Sequence, residues 1–210
     1  MLGNVYIAMF LISLAMLAIL LATYKNRISL YYVLLFCDLL IFNFGYMQLS
    51  HSQSVEMAIF SNQTVYLAGS FSPFFLIMCL ADLCKAKVRK WVQIFFLTFG
   101  GVIFTMTSSI GVVDWYYRKV SIAQFYGATF LVKEYGPLHK LFAIYLLIVM
   151  VYGIYIIIGA FKNKRDVSYI TSILLLLCML TAAGIYGFEK QVPIAIYYHF
   201  RKLKRLSALR

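Results

Sequence analysis

A single carboxylate, Asp38, stands midway along an otherwise uncharged apolar run from Ile28 to Leu49. A charge at that depth in a bilayer costs roughly 2.5–3.5 kcal/mol on insertion scales and by default marks a functional position. Two chemistries suit it: a proton or cation site, or a protonated acid hydrogen-bonded to a neighbouring Tyr or Asn. Asn43, five residues on, is turned away from Asp38 by about 140° of helix, so the two do not share one ligand. A second set is Asn62, Tyr66, Gly69 and Pro73, at i, i+4, i+7 and i+11, which puts them on one helical face. Pro73 removes a backbone hydrogen bond and bends the helix, so a polar stripe beside it could line a small pocket. Small and hydrogen-bonding residues also hold membrane helices together, and that reading explains the stripe equally well.

The remaining reactive residues form no known constellation. His51, His139 and His199 are far apart, and none lies in H-E-x-x-H. Cys37, Cys79, Cys84 and Cys178 show no C-x-x-C spacing and read as packing residues. Neither nucleotide-binding glycine motif is present, nor is the G-x-S-x-G nucleophile turn. The expectation is therefore no enzyme activity, no metal and no cofactor.

The elements that position these residues are membrane spans. Of the 210 residues, 63% are hydrophobic and 12% charged, with a mean hydropathy of +0.86, whereas soluble domains run near 45–50% apolar and about 25% charged. A transmembrane helix needs roughly 20 apolar residues. Six clear runs satisfy this: about Val5–Tyr24, Ile28–Leu49, a start between Val55 and Val65 to Lys85, Trp91–Ile110, Leu141–Phe161 and Val167–Phe188. Stripes at Thr98, Gly101, Thr105 and Ser108, and at Tyr145, Tyr152, Tyr155 and Gly159, read as helix packing.

The net charge of +12 lies between these runs, which points to anionic lipid and not to nucleic acid. Nine basic residues follow runs one, three and five: Lys25 and Arg27; Lys85, Lys87, Arg89 and Lys90; Lys162, Lys164 and Arg165. That bias makes those turns cytoplasmic anchors and puts the N-terminus outside. Residues 189–210 then begin on the outer face yet end in Arg201-Lys202-Leu203-Lys204-Arg205, so they form either a basic surface tail or a shortened seventh helix. The long outer connection, about 112–138, carries β-branched and aromatic residues on both sides of Tyr126-Gly127, the pattern of a β-hairpin. Its Trp115, Tyr116, Tyr117 and Tyr135 suit either an interfacial aromatic belt or a lid over the bundle mouth. The expected fold is thus an all-α integral membrane bundle over 1–188, with one extracellular hairpin between helices four and five.

The order of elements resembles the seven-helix N-terminal sensor region of bacterial histidine kinases and related diguanylate cyclases. The residues that carry the resemblance are Gly45-Tyr46, Tyr66-Leu67-Ala68-Gly69 followed by Pro73, Asp82-Leu83-Cys84, and Tyr135-Gly136-Pro137-Leu138. It spans about residues 4–188; helix seven and the linker to an output domain have no counterpart. The resemblance implies a sensory input module in the bacterial plasma membrane, with an output domain that is separate or deleted. Its ligand, a small molecule or peptide, would contact Asp38, Asn62, Tyr66, Trp115 and Tyr135, while Gly45, Gly69, Pro73, Gly136 and Pro137 bend or pack helices. Pairing with a second copy is left open. The alternative is a small transporter, or a transport subunit, using Asp38 as its ion site.

Overall fold

Long uncharged runs dictate long helices, because in lipid each backbone N–H and C=O must be satisfied within its own segment. The computed structural model describes residues 2–23 and 29–163, and contains α1 (Leu2–Thr23), α2 (Leu30–Ser50), α3 (Val55–Leu83), α4 (Lys90–Ser108) and α5 (Lys140–Lys162). All five are long and apolar enough to cross a membrane. The expected sixth span, the tail at 189–210, and Lys25, Arg27, Lys164, Arg165 and Cys178 lie outside the described residues.

α3 begins at the early end of its expected range, since Ser54 caps it by accepting the Met57 N–H at 3.2 Å and Glu56 lies in the first turn. Its polar start is therefore part of the helix, which runs on through the buried Pro73. It stops where Lys85 takes a left-handed φ of 48° and the Lys85 and Ala86 N–H groups bond back to Asp82 O and Ala81 O. That is the Schellman ending, with lysine in the place glycine usually fills.

α3 is the axis of the bundle, in contact with α2, α4, α5 and both strands, whereas α1 packs on α2 and the second strand. Inside the protein lies 61% of its most apolar stretch, against 6% for α1. Two close approaches set its spacing. A Cβ on Gly45 would stand 2.8 Å from Val65 N, and one on Gly100 would stand 2.7 Å from Ser70 O. Gly69 is looser, with Phe42 of α2 at 3.6 Å.

The buried face of α4 is Val92, Phe96, Gly100, Ile103 and Thr107. This corrects the expected packing stripe: Thr98 and Thr105 face outward, and Thr105 satisfies its hydroxyl by donating to Gly101 O within its own helix. The α5 face is Phe142, Tyr145, Val149, Gly153, Ile156 and Ala160, so Tyr145 is buried and donates to Phe96 O while Tyr155 points out.

The connection after α4 forms an antiparallel pair, β1 (Tyr117–Phe125) and β2 (Ala128–Tyr135). Tyr126 and Gly127 both have positive φ, 47° and 75°, the type I′ geometry that matches strand twist. The strands occupy the middle of the expected 112–138 insertion; turns fill 109–116. Leu131, with Val120 and Ile122 beside it, packs on Leu49 and Ala58. Thr129 donates to Ser52 O at 2.8 Å, and the Leu2 N–H reaches Tyr126 O at 3.2 Å. The hairpin thus covers the end where α1 and α3 begin and α2 finishes. Lys85, Lys87, Arg89, Lys90 and Lys162 are exposed at the opposite end.

Gly45→Ala should lower stability by about 1–3 kcal/mol by forcing α2 off α3, while Gly69→Ala should leave it nearly unchanged. Thermal unfolding of the two variants in one detergent checks the contrast; equal melting temperatures would refute the close-approach account.

Candidate functional site

The hairpin is anchored at its base by aromatic side chains from four elements. Tyr116 and Tyr117 are buried whereas Trp115 is 60% exposed, so the aromatic run divides: Trp115 lies open, and its neighbours fix the hairpin to the bundle. The Tyr117 hydroxyl donates to the Tyr66 hydroxyl on α3 at 2.6 Å. Around the Tyr66 ring, Tyr116, Tyr117 and Phe142 of α5 stand edge-on at centroid distances of 6.2, 6.3 and 6.2 Å. Lys133 of β2 places its Nζ 5.3 Å from both the Tyr66 and Tyr117 ring centres, a double cation–π contact. Tyr135 stacks on the buried His139 at 3.9 Å.

Gly136 is what lets the chain close this base. Its N–H donates to Tyr116 O at 2.8 Å, and a Cβ there would lie 2.3 Å from Trp115 O. No other residue fits so close to a passing backbone. Pro137, exposed, opens the short 3-10 turn Pro137–His139 that leads into α5.

The five expected ligand contacts do not converge. Tyr66 and Tyr135 both adjoin Tyr117 at the hairpin base, and Asn62 lies one turn before Tyr66, 1% exposed, its Nδ2 without a hydrogen-bond partner among the described residues. Asp38 belongs elsewhere: Ser72 of α3 donates to its carboxylate across the α2–α3 contact. Ser72 is six residues beyond Tyr66, about 9 Å along the axis. The expected stripe on α3 also splits, since Gly69 faces Phe42 of α2 while Tyr66 faces the hairpin and α5.

A groove of about 670 Å³ opens beside the capped end, between α1, α2 and the start of α3. Its apolar walls are Ile7, Met47, Met57 and Phe60; its polar members are Gln48, His51, Glu56 and Ser61. Of these the sequence drew attention only to His51, as one of three scattered histidines, because the groove is assembled from three helix ends. Lys133 was equally hidden, although its position in a strand with inward aromatic neighbours was a usable signal.

The family model described as the N-terminal 7TM region of histidine kinase matches residues 5–189. No curated protein and no solved structure matches the chain.

Tyr117→Phe should destabilise the hairpin by about 1–2 kcal/mol through loss of a buried hydrogen bond. In a double-mutant cycle with Tyr66→Phe, a positive coupling read from unfolding would establish the pair; strictly additive losses would show that the hydroxyls do not act on each other.

Proposed function

The chain belongs to the family of N-terminal 7TM regions of histidine kinases, and from that membership we propose that it is an input module which senses an extracellular or membrane-borne ligand and passes the change to a cytoplasmic output domain. The family supplies the sensor role, and the five apolar helices fit a multi-pass membrane protein. The observation that carries the route is Tyr117 on Tyr66. It ties the hairpin to the helix that packs on α2, α4 and α5 and ends among the exposed Lys85, Lys87, Arg89 and Lys90. A ligand that favours one seating of the hairpin shifts the tilt of α3 by its difference in affinity for the two seatings, and by no more than that.

The basic end faces the cytoplasm and the hairpin faces outward, in keeping with the positive-inside bias. The bundle lies in the bacterial plasma membrane and performs no catalysis of its own. Asp38 serves here as a polar contact between α2 and α3. A transport role for it finds no support in the groove, whose lining does not include it.

Two measurements test this reading. With the four native cysteines replaced by alanine, a cysteine at the exposed Ser121 should react with an impermeant maleimide added to intact cells, and one at Lys87 only after lysis; the reverse pattern would invert the topology. Placed ahead of a histidine kinase catalytic region, the bundle carrying Gly136→Ala should change autophosphorylation at least several-fold from the wild-type bundle. Unaltered kinase output with a detached hairpin would contradict the proposed route.

A further inference from the structure

The groove beside the hairpin holds one carboxylate and one buried amide oxygen among its polar groups. The Gln48 Oε1 is buried and has no hydrogen-bond partner among the described residues. Glu56, exposed on the first turn of α3, makes no ion pair among them. The His51 Nδ1 lies 2.9 Å from Met47 O and 2.9 Å from Ser50 Oγ, so that side of the ring is already engaged by its own helix end. Ser61 spends its proton on Met57 O at 2.8 Å. The Gln48 Oε1 and the Glu56 carboxylate are thus left as acceptors, and no Lys or Arg lines the groove. The rest of the wall is apolar, with Met57 and Phe60 more than half exposed at 54% and 62%.

We propose that this groove binds an amphiphile with a primary ammonium head and an apolar tail, the head meeting Glu56 and Gln48 and the tail lying along Met57 and Phe60. An ammonium brings three donors and a positive charge and accepts nothing, which complements this lining. A carboxylate head would face Glu56 with like charge, and a neutral hydroxyl would gain only a hydrogen bond. The site adjoins the hairpin turn, for a Cβ on Gly3 would lie 3.3 Å from both His51 Nε2 and Gly127 O. An occupant that moves His51 therefore presses on the hairpin tip. The proposal names a ligand class for the sensor reading and rests on that reading only for the consequence of binding. Binding itself is measured without any signalling output.

The test uses the full chain in phosphatidylcholine nanodiscs and a dodecylamine probe with a photoreactive diazirine near the tail end. Cross-linking should concentrate on the peptides bearing Met57 and Phe60, and dodecylamine should compete at least tenfold more effectively than dodecanol or dodecanoate. Glu56→Gln, whose site is on the surface, should melt within a few degrees of wild type and lose that tenfold preference while retaining tail labelling; Gln48→Leu should weaken the preference independently. Competition by phosphatidylethanolamine added to the nanodisc would assign the head to a bilayer lipid, and its failure to compete would assign it to a free amine; both outcomes uphold the site. Labelling spread evenly over the lipid-facing helices, equal competition by the three heads, or an unchanged preference in Glu56→Gln would overturn it. A bound amine without any change in kinase output would leave the site standing and contradict the sensor route instead.

Discussion

Along α3 the backbones come nearly into contact, and the rest of the described structure is arranged around that closeness. Lipid tails are as apolar as leucine, so helices in a bilayer associate through van der Waals packing and hydrogen bonds, with no hydrophobic force to drive them together. Gly45 meets Val65 on one side of α3, and Gly100 meets Ser70 on another. With α2 and α4 seated this tightly, Ser72 can reach Asp38 across the α2–α3 contact. The carboxylate is then a buried group with a partner, which is how a membrane interior tolerates one.

The same axis explains why a soluble-looking element belongs to an otherwise helical bundle. A two-stranded hairpin alone is at best marginally stable in water. Here it is fixed at both ends, by Tyr117 on Tyr66 at its base and by Thr129 on Ser52 O and Tyr126 O on the Leu2 N–H toward its turn. The Lys133 side chain, set between two tyrosine rings, adds charge to an interior that holds several aromatic faces. The hairpin is thus packed as part of the bundle, and a force on its tip has a continuous path to α3.

Much of the scaffold was legible in the sequence. The five described spans fall within a few residues of the apolar runs, because uncharged length is a strong signal in a membrane chain. The hairpin was legible too, since Tyr126-Gly127 between β-branched and aromatic runs is a local signature. The site was less so. Periodicity put Asn62, Tyr66, Gly69 and Pro73 on one face, but the crowding of partners around α3 sends Tyr66 to the hairpin and Gly69 to α2. Trp115 and Tyr117 look alike in sequence, yet one lies out in the open and the other is sealed. Gln48, His51 and Glu56 gained meaning only when three helix ends met, a juxtaposition that spacing along one segment does not encode.

The central claim is that the seating of the hairpin and the disposition of the basic end are coupled through α3. Spin labels at Lys87 and Lys162, both at the end opposite the hairpin, measure that disposition by double electron–electron resonance. In lipid nanodiscs the distance distribution between them should shift or broaden when Gly136→Ala unseats the hairpin. An unchanged distribution, with the hairpin demonstrably loosened by hydrogen exchange at Val120–Gln124, would contradict the coupling and leave the cap a structural ornament.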